Sequence, residues 1–256
     1  MHTAYIQSGA NVITTNSYAV VPFHIGEARF AAEGQALAAL AGELARRAVQ
    51  ASSQTVRVAG SLPPLFGSYR PDLFEAGRVS ELLTPLVNGL APHVDLWLAE
   101  TQSSIVEARA IHAGLPQDGK PFWLSFTLKD EDTDEVPRLR SGEPVADAAE
   151  AAAQLGVAVL LFNCSQPEVI GAAIDTARQT FERLGVSIQI GAYANAFPPQ
   201  PKEATANDGL DPLRDDLDPP GYLHWAADWQ ARGASHLGGC CGIGPEHIAV
   251  LAQKLA

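Results

Sequence analysis

Positive charge is scarce in this chain: 17 Lys and Arg stand against 29 Asp and Glu, for a net charge of −12. There is no basic block and no interleaving of basic with aromatic side chains, which excludes an electrostatic surface for nucleic acid. Long apolar runs are missing as well. No stretch approaches the length of a membrane span, and the amino terminus lacks the charged start and apolar centre of a signal peptide. A cytoplasmic protein with no membrane partner is therefore expected. Cysteine is sparse, with three in 256 residues. So few, and an odd number, exclude a disulfide framework and fit a reducing compartment in which thiols serve metal binding or catalysis. What the chain does have is apolar bulk: at 46% hydrophobic it can build one large domain with a full core, and a homo-oligomer of such domains is compatible with this composition.

Short apolar runs alternate with longer amphipathic ones. Strands are predicted at Asn11–Thr15, Val56–Gly60, Val94–Ala99, Pro121–Phe126, Val157–Phe162, Val186–Ala192 and Ser235–Gly238. The segment from Val157 to Phe162 is apolar at every position, as expected of a parallel strand covered on both faces. Leu37, Leu40, Ala41, Leu44 and Ala48 are spaced as one helix face. Ile248, Leu251, Ala252 and Leu255 repeat that spacing behind Pro245 at a first helical turn. An alanine-rich helix is predicted around Ala146–Ala153. This alternation argues for an α/β fold with a parallel sheet, specifically a (β/α)8 TIM-type barrel formed by a single domain over residues 1–256. Such a barrel needs about eight strands. The chain opens at the end of a helix, so the first β/α unit is expected to be missing and the domain to be truncated at its amino terminus. Two long loops interrupt the pattern: Lys129–Gly142, with Asp130, Glu131, Asp132, Asp134 and Glu135, and the proline-rich Phe197–Pro220. Both read as solvated loops able to cover a barrel mouth.

Gly238-Gly239-Cys240-Cys241-Gly242 sets two adjacent thiols in a glycine-rich turn after the last strand, and Cys164 follows the fifth. A lone buried cysteine is ordinarily an apolar filler. Adjacent cysteines cannot easily bridge each other, whereas two thiolates on a tight turn and a third from another strand supply three corners of a zinc tetrahedron. The open corner marks a catalytic zinc and suggests activation of a substrate thiol. The glycines are expected to serve backbone freedom and approach to a ligand rather than packing. Because a parallel barrel gathers its site at the carboxyl ends of its strands, Thr14, Thr15, Asn16, Tyr18, Glu100, Thr101 and Asn163 should share that mouth. Glu100, directly after an apolar strand, reads equally as the partner of a substrate ammonium and as a helix-capping carboxylate. His236, two residues before the glycine pair, reads as a packed or surface residue.

Several segments together resemble the zinc-dependent homocysteine S-methyltransferase family. They are Gly9-Ala10-Asn11-Val12-Ile13-Thr14-Thr15-Asn16-Ser17-Tyr18, Ala59-Gly60-Ser61-Leu62-Pro63-Pro64, Glu100-Thr101, Phe162-Asn163-Cys164-Ser165, Asn195, and the run from Gly238 to Ile248. The two cysteine motifs are specific as a pair. The resemblance implies a (β/α)8 barrel in which Cys164, Cys240 and Cys241 hold Zn2+ and the homocysteine sulfur takes the fourth position. It implies methyl transfer from a small donor to that thiolate, giving methionine. The donor is expected to be a sulfonium, S-methylmethionine or S-adenosylmethionine, because no cobalamin or folate module is visible. Among site residues, the resemblance implies that Glu100 binds the homocysteine amino group and that Thr15 lies near its carboxylate. Asn16 and Gly239 would line the substrate site, and Tyr18 the donor side. Two other activities are open to the same residues: transfer to another thiol or selenol, and a zinc-binding barrel without catalysis. The departure from the family is at the front, where its first strand, with an aspartate and glycine signature, has no counterpart here.

Overall fold

The computed structural model describes residues 1–130, 136–199 and 212–255. The acidic residues Glu131, Asp132, Asp134 and Glu135 of the first long loop, and residues 200–211 of the second, lie outside them. Seven strands form one parallel sheet in sequence order, each hydrogen-bonded to the next. They are β1 (Val12–Thr14), β2 (Arg57–Leu62), β3 (Leu96–Gln102), β4 (Phe122–Phe126), β5 (Val159–Asn163), β6 (Gln189–Tyr193) and β7 (His236–Leu237). All seven predicted strands are present, with ends shifted by a few residues, as hydrogen-bond registers rather than apolar runs set them.

The sheet is curled. Neighbouring strands lie about 4.8 Å apart, so side chains on β4 and β7 would be far out of contact on a flat sheet. Instead the Trp123 ring of β4 meets His236 of β7 edge-on, with centroids 4.8 Å apart, and takes the Arg57 guanidinium of β2 at 4.9 Å. The concave face carries a small cluster of Ala59, Leu96, Leu98, Trp123, Val159 and Leu161. The alternate positions, including Val58, Trp97, Leu124, Phe126, Leu160 and Phe162, belong to the larger cluster on the helical side. Two-sided burial explains why β5 is apolar from Val159 to Phe162.

Helices follow the strands: α1 (His2–Gln7) precedes β1, and then come α2 (Pro22–Ile25), α3 (Glu27–Gln50), α4 (Val79–Leu90), α5 (Ile105–Ala113), α6 (Val145–Gln154), α7 (Pro167–Leu184), α8 (Pro219–Ala231) and α9 (Pro245–Leu255). Their ends have local causes. Pro167 starts α7 and Gly185, at φ +67°, ends it. Ser104 caps α5 by accepting from Glu107 N–H, while the Glu107 carboxylate accepts from Ser103 N–H at 2.9 Å. The expected face of α3 needs correction. Leu40 and Leu44 are about half exposed, and the buried stripe is Phe30, Gly34, Ala38, Ala41 and Ala45. Small residues prevail there because α3 and α4 pack closely: a Cβ at Gly89 would lie 2.6 Å from Gln35 O.

β1 and β7 are the two edges of the sheet. Behind them α1 packs on α9, and the Tyr5 hydroxyl donates to Ile243 O at 2.9 Å. Among the described residues, no helix is long and apolar enough to cross a membrane.

Candidate metal centre

Cys164 leaves β5 in a left-handed conformation, φ +51°, with its N–H bonded to Tyr193 O at 3.2 Å. The turn after β7 is tied to the end of β6: Cys240 N–H donates to Ala194 O at 2.8 Å and Ala196 N–H to Cys241 O at 2.9 Å. Those backbone bonds bring the three sulfurs together. Cys164 Sγ lies 2.6 Å from Cys240 Sγ and 4.0 Å from Cys241 Sγ, and Cys240 and Cys241 are 3.9 Å apart. Zinc–sulfur bonds of about 2.3 Å in a tetrahedron require edges of about 3.8 Å. Two edges fit that value, and spreading Cys164 from Cys240 would complete the third. Among the described residues this is the group of metal-ligating side chains with such convergence.

The glycines of the turn do more than expected. Gly242, at φ +81°, supplies the left-handed corner. Gly239, in contrast, is required by packing: a Cβ there would lie 2.1 Å from Ile243 Cγ2. It abuts Ile243 because the turn folds back over itself, so the expectation that these glycines have no packing use is corrected at this position.

Charge within the trio is unequal. Hydrogen bonds from Cys164 and Cys240 hold the Cys241 thiol down at about 3, so it is the thiolate. Cys240 is pushed well up by its hydrogen bonds with Cys164 and Cys241, with burial adding to them. Cys164 is drawn down by Cys240, but its hydrogen bond to Cys241 and its burial outweigh that pull and raise it. Soft, crowded thiol donors of this kind suit zinc.

Asn163 braces the cluster. Its Nδ2 donates to Thr101 Oγ1 at 2.8 Å and lies 3.9 Å from Cys240 Sγ, while its Oδ1 accepts from Ser125 Oγ at 2.6 Å. Glu100, within β3 two residues before its end, is half-buried and accepts from Ser61 Oγ at 2.6 Å. Burial raises its pKa, against the hydrogen bond from Ser61 that lowers it. Among the described residues no cation acts on it, so the carboxylate is held by neutral donors.

The remaining expected residues divide. Tyr18 pairs its hydroxyl with Ser68 Oγ at 2.7 Å, and burial and the charge of the Cys164 sulfur both raise its pKa. Thr15 is buried and braces the backbone, pairing with Ser17 Oγ at 2.9 Å and accepting from Ser61 N–H at 3.0 Å. Asn16 is exposed beside it. His236 packs on Trp123, as expected of a non-ligand. Ser61, Tyr69 and Tyr193 were not anticipated as site residues. Tyr193 ends β6, so the strand-end rule could have found it; Tyr69 lies in a loop and carried no sequence signal.

Comparison with known proteins agrees with this geometry. A family model described as homocysteine S-methyltransferase matches residues 1–255. The chain is 29% identical to the homocysteine S-methyltransferase of Escherichia coli K12, over 99% of this chain and 83% of that protein. It is 27% identical to homocysteine S-methyltransferase 3 of Arabidopsis thaliana, over 100% of this chain and 79% of the relative. Among solved structures, the metallated form of the E. coli homocysteine methyltransferase MmuM superposes with a TM-score of 0.74 at 28% identity, over 99% of this chain and 82% of that one.

Proposed function

The chain belongs to the homocysteine S-methyltransferase family, and on that premise we propose that it transfers a methyl group from a sulfonium donor to homocysteine at a zinc site formed by Cys164, Cys240 and Cys241. The observation that carries this reading is the convergence of the three sulfurs within 4.8 Å at the strand ends, beside Glu100, a carboxylate held by neutral donors. Zinc, when bound, would hold the homocysteine sulfur as a thiolate at neutral pH.

The protein's own groups do the rest. Glu100, with Ser61 fixing one oxygen, presents the other to the substrate ammonium, which supplies the countercharge its buried setting calls for. Asn163, clamped by Thr101 and Ser125, orients the strand end that carries Cys164. Tyr18 offers an aromatic wall to a cationic donor, and Gly239 and Asn16 border the opening. The thiolate lone pair forms the new S–C bond as the donor's C–S bond breaks, its electron pair staying on the departing neutral thioether. Holding the two sulfurs in line across the methyl group supplies much of the acceleration.

The finer architecture is part of the same reading: a single (β/α)8 barrel domain of which this chain carries seven units, with the place of the first unit between β1 and β7. A reducing, cytoplasmic setting would keep the three thiols free. The test is methionine formation by the zinc-loaded chain with S-methylmethionine, S-adenosylmethionine and betaine offered separately. Turnover with a sulfonium is expected. A folded, zinc-loaded chain inactive with every donor would refute the reading.

A further inference from the structure

The outer face of α3 is apolar where it meets solvent. Leu40 and Leu44, one turn apart, are 49% and 47% exposed; Ala36, a turn before them, is exposed as well, and the half-buried Leu37 lies alongside. The helix does not need these leucines for its own packing, because the opposite stripe, with Phe30 and Ala38, is the one buried. Single apolar side chains are ordinary on a protein surface, but neighbours along one helix face form a contiguous patch. The function proposed above gives that patch no role.

Charge says what fits it. The chain as a whole carries −12, yet α3 sets three acids, Glu27, Glu33 and Glu43, against three bases, Arg29, Arg46 and Arg47, and is neutral. A second copy of this face is therefore not repelled by it, and the charge of the remaining surface is screened beyond about 8 Å at physiological ionic strength. The order of the charges adds a register. Glu33 and Arg47 stand seven residues before and after Leu40, about 10.5 Å each way along the axis, so all three share one face. Two such helices packed antiparallel about a two-fold axis at Leu40 place Glu33 of each opposite Arg47 of the other. The same arrangement sets Leu40 against its copy and Leu44 over Ala36 and Leu37 of the facing helix. Glu33 already pairs with Arg29 at 3.1 Å and Arg47 with Glu43 at 3.7 Å, all four side chains more than half exposed. Each new contact would join two of these pairs into a run of four alternating charges.

We propose that the face of α3 carrying Ala36, Leu37, Leu40 and Leu44 is a self-association surface, whose occupant is α3 of a second copy of this chain, antiparallel and two-fold symmetric. Isologous contacts of this kind are the commonest way for a soluble chain to pair. A helix of 24 residues, about 36 Å long, buries less than the roughly 1,600 Å2 of a standard interface, so the dimer is weak, with a Kd on the order of 10 µM. The leucines supply the affinity and the charges the register, since exposed ion pairs contribute little by themselves.

The test measures the mass of the full chain by sedimentation equilibrium from about 1 µM to about 300 µM. It reads no activity, so it stands apart from the methyl-transfer reading. The wild-type chain should pass from monomer to dimer across that range; a monomer throughout overturns the proposal. Leu40→Glu, at a half-exposed position, should leave the fold intact and weaken dimerisation at least about tenfold, because it buries unpaired charge at the two-fold axis. Dimerisation unaltered in that variant overturns the proposal too. Glu33→Arg faces arginine with arginine and Arg47→Glu faces glutamate with glutamate, so each alone should weaken the dimer. Mixed in equal amounts, the two variants bring opposite charges together at both ends and should form a heterodimer of near wild-type affinity. Single variants that dimerise like the wild type, or a mixture no tighter than its components, overturn the antiparallel register and the proposal with it.

Discussion

Cys164 and Cys240, 76 residues apart in the chain, place their Sγ atoms 2.6 Å from each other. Each is delivered by a different strand end, so the pairing depends on the order and curl of the sheet. Replacing Cys240 by serine, a poor zinc ligand, should lower zinc affinity by at least about 100-fold and abolish methyl transfer. Metal content after dialysis checks this, and stoichiometric zinc in Cys240→Ser would remove it from the ligand set.

The unequal charge of the trio sets the proton balance of metal uptake. Cys241 is held as a thiolate at about 3, whereas Cys164 and Cys240 are raised and remain protonated at neutral pH. Binding a dication that requires all three as thiolates should therefore release about two protons at pH 7, and affinity should weaken as pH falls. Calorimetry in buffers of different ionisation enthalpy measures the number. A release near zero would contradict the protonation pattern.

Glu100 should matter to the substrate and not to the metal. Glu100→Gln keeps the shape and an acceptor for Ser61 Oγ, found at 2.6 Å, but loses the charge proposed to meet the substrate ammonium. Hydrogen bonds to charged groups contribute about 1.5–3 kcal/mol, so KM for homocysteine should rise roughly 10- to 100-fold with zinc content unchanged. An unaltered KM would take Glu100 out of the substrate site.

Glu107 governs a pH dependence away from the chemistry. Burial raises its carboxyl to about 7, against the hydrogen bonds from Ser104 and from Ser103 N–H, from an ordinary value of 4.5. Between these values the unfolded chain has released the proton and the folded chain retains it. Stability should therefore be full below about pH 4.5, fall as pH rises toward 7, and level off above. Glu107→Gln, neutral at every pH, should flatten that part of a urea-midpoint profile; an unchanged slope would assign it to other groups.

The fold was largely legible because its signals are local. The unbroken apolar run at β5, the proline at the head of α9 and the strand and helix alternation each arise from neighbouring residues meeting one environment. The meeting of the three cysteines was legible for a related reason: each lies just past a strand, and they must share one rim once the strands are parallel. The buried face of α3 was not legible, since apolar spacing marks Leu40 and Leu44 as readily as Ala38 and Ala41. Only the close approach of α4 selects the small residues.

The amino-acid sequence by itself thus determined the order of the strands and the family to which the chain belongs, through periodicity and motif. The tertiary structure alone decided which side chains brace one another at that rim: Asn163 between Thr101 and Ser125, and Ser61 on Glu100. These partners come from separate strands, and no local pattern encodes their meeting. It follows from the curl of the sheet, which turns the ends of distant strands toward one mouth.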